Sequence, residues 1–178
     1  MSQHDLFNKI PLRGDLTVIR RDSSTGTIIN VWTKKNVITF GGTELLVKLM
    51  APNAAFGGTV QLESQIKSMR FGRSNTTPNR SDTNLLNEAI VSGNPVRKQL
   101  LDANRVVGAS GTVEFSATLG PGEGNGTTYR EAGLFSRGTA DDPLVATGST
   151  MFSRQVFPDE TKSGAVTLQF VWRISFTV

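Results

Sequence analysis

Two stretches of the chain alternate apolar and polar residues without a break. In residues 166–178, Val166, Leu168, Phe170, Trp172, Ile174, Phe176 and Val178 occupy every second position, with Thr167, Gln169, Val171, Arg173, Ser175 and Thr177 between them. In residues 112–119, Val113, Phe115, Ala117 and Leu119 alternate with Thr112, Glu114, Ser116 and Thr118. Strand side chains point to opposite faces in turn, so each stretch predicts a strand with one apolar and one largely polar face. The first is about thirteen residues long, against a usual ~5–6, and should cross a whole sheet.

Weaker patterns fill in the rest. Residues 16–21 and 26–33 read as strands joined by the turn-forming cluster at 22–26, hence a hairpin. Residues 34–36 read as a second turn and 37–40 as a further strand. The period then changes: Leu45, Leu46, Leu49 and Met50 share one helical face, Thr43 is placed to cap it, and Pro52 ends it. Residues 66–72, 127–137, 144–149 and 151–157 predict strands. Residues 73–82, 120–126, 138–143 and 158–164 are loops or turns. Residues 85–90 suit a brief helical turn or an edge strand, and 95–105 look extended. Roughly nine or ten regularly spaced short strands predict a mostly β protein, an antiparallel β-sandwich (jelly-roll or Greek-key-like) with one short helix. The expected organisation is an N-terminal arm over residues 1–12 and a sandwich domain over 13–178. Phe7 and Ile10 punctuate an otherwise polar arm and are interface candidates; a frayed terminus fits the same residues.

Composition sharpens this picture. Hydrophobic residues make up 37 % of the 178 and charged residues 19 %, with 18 Gly and 7 Pro. The surface must therefore lean on Ser, Thr, Asn and Gly, as β-rich and assembled proteins do. The net charge is +4, but the cations fall only in pairs such as Arg20–Arg21, Lys34–Lys35 and Arg97–Lys98. Scattered pairs argue against direct nucleic-acid contact. No secretory leader pattern is visible, and no stretch approaches the ~18 apolar residues of a spanning helix, so no membrane contact is expected.

Catalytic chemistry finds little to work with. There is no cysteine and one histidine, His4, near the start of the arm. A Ser–His–Asp triad or an imidazole-rich metal cluster cannot be assembled within one chain on that inventory. The glycine-rich stretch 120–126 has neither dinucleotide nor phosphate-loop spacing, and no helix follows it. Asp22, Asp82, Asp141, Asp142, Asp159 and Glu160 fall in predicted turns, where solvent is the expected partner. Arg13-Gly-Asp15 has the form of an integrin-binding tripeptide, and a turn before the first strand explains it equally well. No enzyme activity, cofactor or metal is expected.

One ionisable residue stands out. In Tyr129-Arg-Glu-Ala-Gly-Leu-Phe135, alternation places Glu131 on one face with Gly133 and Phe135. A carboxylate beside a Phe is costly to bury unless it is paired. Arg154, in the next strand, is the candidate partner. The pair predicts a structural ion pair or a carboxylate-to-backbone clamp that fixes strand register.

Five fragments in a fixed order carry a resemblance. They are Asn36-Val-Ile-Thr-Phe-Gly-Gly-Thr-Glu-Leu-Leu46; Met69-Arg-Phe-Gly72 with Asp82-Thr-Asn-Leu85; Glu131-Ala-Gly-Leu-Phe135; Arg154-Gln-Val-Phe-Pro158 followed by Lys162; and the terminal strand around Trp172. Over residues 30–178 the chain resembles tailed-bacteriophage tail, collar and fibre-attachment structural proteins. The resemblance implies a β-sandwich virion component, made in the host cytoplasm and multimeric. Its implied partners are copies of itself and neighbouring virion proteins such as the portal or connector, tail or fibre proteins. It implies no catalytic residues. Lack of a long repetitive shaft after the last strand favours neck, collar or baseplate over a whole fibre. The alternative is a host-surface carbohydrate-binding adhesin or fibre-attachment module.

Overall fold

The alternating stretches become the centre of one sheet. In the computed structural model, which describes residues 12–50, 65–108, 111–137 and 148–176, they form β9 (Thr112–Leu119) and β12 (Val166–Phe176), paired antiparallel from Leu119↔Leu168 to Thr112↔Ser175. On the other side of β12 lies β1 (Leu12–Asp22), in register over its whole length from Leu12↔Phe176 to Asp22↔Val166. β2 (Ile28–Lys35) and β8 (Arg105–Gly108) complete a five-stranded sheet of order β2-β1-β12-β9-β8.

The hairpin between β1 and β2 turns on Asp22. Its Oδ1 accepts from the backbone N–H of Ser24 (2.9 Å) and Thr25 (2.8 Å) and from both hydroxyls. These bonds, the Ser24 hydroxyl first, hold its carboxyl at about pKa 2.

The second sheet has the order β3-β11-β10-β4-β7, from β3 (Val37–Ile38), β4 (Ile66–Gly72), β7 (Arg97–Gln99), β10 (Thr127–Ser136) and β11 (Met151–Lys162). A two-stranded ribbon, β5 (Ile90–Val91) with β6 (Asn94–Pro95), and a 3-10 turn at Asp102–Asn104 precede β8. The two sheets face each other across one core, so the mostly β sandwich with one α-helix among the described residues stands as read.

The core is built from the inward positions of both sheets. Leu16, Val18, Phe115, Leu119, Leu168, Phe170, Trp172 and Ile174 meet Met69, Phe71, Tyr129, Leu134, Phe152 and Phe157. Phe170 sits at the middle, its ring 4.5 Å from Phe71 and 5.7 Å from Phe157. Burying each such side chain is worth about 1.5–3 kcal/mol.

Several expectations need correction. The helix α1 spans Phe40–Met50, so Phe40 is helical rather than strand, and the cap is Thr39, not Thr43. Thr39 Oγ1 accepts from the Gly42 N–H at 3.0 Å and donates to the β11 carbonyls of Met151 and Phe152. Two glycines in the first turn let the helix lie this close: a Cβ on Gly42 would collide with the Phe152 carbonyl.

Residues 158–162 belong to β11 and are not a turn. Pro158 is accommodated by a bulge, since Tyr129 pairs with Glu160 but Glu131 already pairs with Val156. Arg130 pins the bulge with two bonds to Asp159, at 2.8 and 2.7 Å. Residues 85–90 form neither a helical turn nor a full edge strand: a single bridge, Gly72↔Glu88, precedes β5. Arg13-Gly-Asp15 lies inside β1, not in a turn, with Asp15 opposite Arg173 and Lys35. The arm residues Phe7 and Ile10, Asp141, Asp142 and most of the predicted strand 144–149 lie outside the described residues.

Candidate functional site

β4 and β10 each carry a second set of side chains on the face away from the core. On β4, Met69 and Phe71 point inward, so Ser68, Arg70 and Gly72 point outward. On β10 the outward set is Glu131, Gly133 and Phe135. Outward residues of a sandwich usually meet water, yet all six of these are buried. The cover is the chain that leaves β4, residues 73–89. Leu85 from that cover joins Phe135 and Met151 in a small apolar cluster of its own.

Glu131 and Arg154 hold the cover down. Both side chains are fully buried, and Arg154 Nε donates to Glu131 Oε2 at 2.7 Å. The remaining carboxylate capacity is taken by backbone N–H groups of the cover. Asn87 (2.8 Å) and Ser74 (3.3 Å) donate to Oε1, and Leu86 (3.3 Å) donates to Oε2. Arg154 uses the rest of its fork in the same way, Nη1 to Asp82 Oδ2 at 2.9 Å and Nη2 to the Thr76 carbonyl at 3.1 Å. A planar guanidinium with divergent donors suits such a three-way contact where a lysine would not. The two residues sit on adjacent strands two residues out of direct opposition, and so on the same face: Gly133, not Glu131, faces Arg154. The structure therefore brings the two candidates together as an ion pair and a backbone clamp at once. What the clamp fixes is a loop on a sheet as well as a strand against a strand.

Gly72 makes room for it. A Cβ there would lie 2.6 Å from Glu131 Cγ and 2.6 Å from the Asn87 carbonyl oxygen. Beside the clamp, Arg70 is 1 % exposed. Its guanidinium lies 4.0 Å from the Phe135 ring centroid, and Nη2 donates to Ser149 Oγ at 2.7 Å. Burial, then repulsion from Arg97, lowers its pKa to about 10, with Glu88 partly offsetting, so the group keeps its charge at neutral pH. Arg97 in turn grips Glu88 with Nε and Nη2, at 2.6 and 2.8 Å. The helix joins the cover through the Phe40 N–H, bonded to the Arg80 carbonyl, and through Arg80 stacked 4.9 Å from the Phe40 ring.

Chemically, this is a filled site. Both oxygens of Glu131 are engaged, which leaves no lone pair aimed at a substrate. No group of three or more His, Cys, Asp or Glu comes together among the described residues. Sequence reasoning missed Asp82, Arg70 and the Arg97–Glu88 pair. Asp82, expected in solvent, is the second acid on Arg154. Asp159 and Glu160 are likewise paired rather than free, with Arg130 and with Arg20 at 3.5 Å. The available signal for Arg70 was a charge set between two core positions of a strand.

A second region offers open edges. β2 ends the first sheet on one side with Ile28, Ile29 and Val31 each about half exposed, and β8 ends it on the other with Val106 and Val107 exposed. Comparison with protein-family models, curated proteins and solved structures returns no match.

Proposed function

We propose that the chain is a non-enzymatic structural component of a tailed-phage virion, in the neck or collar, tail or baseplate. It acts by associating with copies of itself and by docking to neighbouring virion proteins. The observation that carries this reading is a convergence. The fragments of the phage resemblance are far apart in sequence, yet Gly72, Asp82, Leu85, Glu131, Phe135 and Arg154 meet in the covered face of one sheet. The ordered pattern thus acquires a physical meaning, because three of its five fragments supply parts of a single clamp.

The mode of action follows from the open edges. A strand edge with unpaired N–H and C=O groups and branched apolar side chains is a template for pairing with another chain. Repeated copies in closed rings or trimers would cover such edges. The adhesin alternative wants exposed rings. Trp172 and Tyr129 are fully buried, Trp32 is partly buried against Phe157, and Phe40 is the exposed large aromatic among the described residues.

Mass spectrometry of gradient-purified phage particles tests the reading, together with gold-labelled antibody raised against the chain. The chain is expected in the particle, with label at the neck, tail or baseplate. Its absence from particles that contain the other structural proteins would overturn the reading. Label confined to the host-facing fibre tip would favour the adhesin instead.

A further inference from the structure

The covered face of the second sheet is electrically complete around the clamp and incomplete beside it. Every carboxylate there is spent. Glu131 serves Arg154 and the cover, Asp82 serves Arg154, and Glu88 takes Nε and Nη2 of Arg97. Among the described residues, no carboxylate bonds Arg70, and at 1 % exposure the residue has no solvent to replace one. A cation buried in this state is costly.

Strand register shows where the charge lies. On β10, Gly133 faces Arg70 and Phe135 faces Ser68, while Glu131 lies level with Gly72. The guanidinium carbon of Arg70 is 4.0 Å from the Phe135 ring centroid. The side chain therefore leans back along β4 toward the Ser68 row, away from Glu131. Nη2 finds Ser149 Oγ at 2.7 Å, but Nε has no acceptor. Ser68 is 0 % exposed, and its hydroxyl has no partner either. Two unused donors, one of them charged, thus share one strand face under the cover. The apolar cluster of Leu85, Phe135 and Met151 lies alongside, where a low dielectric strengthens any bond they make.

Buried donors without acceptors are rare, and a water or an ion is the common completion. Water would take both bonds and leave the charge. A monovalent anion takes the bonds and neutralises the charge together. We infer that Arg70 and Ser68 bind a small monovalent anion of the halide class, with chloride the natural guest, held between Arg70 Nε and Ser68 Oγ beneath the cover. Closure from solvent sets the size of the guest, because residues this fully enclosed leave no opening for a carboxylate that trails a chain. Exchange of the ion requires the cover to lift.

Thermal unfolding of the full chain, followed by circular dichroism at constant ionic strength, tests the site. Sodium chloride or bromide should raise the midpoint by a few degrees over sodium methanesulfonate, with a saturable dependence on halide concentration. Ser68→Ala removes one donor and keeps the charge, so the same rise should need several-fold more halide. In Arg70→Met the rise should vanish, and Ser68→Ala decides alone if that variant does not fold. Crystals of the full chain soaked in sodium bromide should show an anomalous peak within hydrogen-bonding reach of Arg70 Nε and Ser68 Oγ. Ordered water or a carboxylate of the chain in that position overturns the inference. So does a midpoint indifferent to the halide, or a rise that is unchanged in Ser68→Ala and is therefore a general salt effect. A bromide peak without any halide effect on the midpoint is an adventitious ion only, and overturns it as well.

Discussion

Each sheet carries an Arg–Glu pair between neighbouring strands, and the two differ in one respect. On the first sheet Arg173 Nη2 lies 3.0 Å from Glu114 Oε2, directly across the β12–β9 pairing, with side chains 59 % and 30 % exposed. On the second, Arg154 and Glu131 are 2.7 Å apart at 0 % and 0 %. Water screens the first pair and replaces either partner if the other is removed. The second pair has surrendered its hydration, so each charge depends on the other and on the loop that covers both. The same chemistry is decoration in one sheet and fastening in the other, and the cover over residues 73–89 makes the difference.

Breaking the buried pair should have the largest effect. Glu131→Gln leaves Arg154 with Asp82 as its one carboxylate, beside the Thr76 carbonyl, and should lower stability by about 3–5 kcal/mol, read from urea unfolding. A loss below ~1 kcal/mol with the assembly intact would show that Glu131 fastens nothing. Gly72→Ala comes next, at about 3 kcal/mol. The added methyl meets the Asn87 carbonyl, which cannot swing aside as a side chain would. Protease cleavage within 73–89 should rise in both variants, and unchanged cleavage would separate the cover from the clamp.

The interior of the second sheet can also be read by pH. Tyr129 is the only tyrosine of the chain, it donates to the Gly124 carbonyl at 2.8 Å, and burial pushes its pKa from 10 to about 12. The folded value lies above the unfolded one. Its stabilisation, on the order of 2 kcal/mol, is therefore complete below pH ~10 and lost as pH rises toward 12. Phenolate absorbance at 295 nm should titrate late and together with unfolding. A midpoint near that of a free tyrosine in a still-folded chain would mean the ring is wet. The smallest effect is expected at the exposed pair: Arg173→Ala should cost about 0–1 kcal/mol and less still in high salt.

The first sheet was legible because one of its faces meets water. Alternation in β9 and β12 then reports directly which side chains are inside. The second sheet was harder, since both of its faces are covered and alternation distinguishes only two sides, not wet from dry. Glu131 could be flagged, and Arg154 named beside it, from the cost of a carboxylate next to Phe135. What covers them could not be read. The clamp is completed by the backbone N–H groups of Ser74, Leu86 and Asn87, and every residue but proline has one. Pro158 misled for a related reason: a proline signals a turn, but a bulge accommodates it just as well once Arg130 bridges to Asp159. Thr39 was read as part of a strand over 37–40 rather than as a cap, and the purpose of Gly41 and Gly42 is visible only with β11 alongside.

The pairing of β1 with β12 has a consequence in time. The earliest strand of the described residues, β1, lies between β2 and β12, and β12 is the last element to be made among those described. Before then the inner edge of β1 has no partner, and the core residues around Phe170 have not been made. Contacts that join such distant parts of a chain form slowly. The nascent chain should therefore stay open and exposed to chaperones until β12 has been made, and a chain released before that point has a first sheet without its central strand. In the virion role proposed above, this would act as inspection at source, because chains that lack β12 never reach the form that could be incorporated.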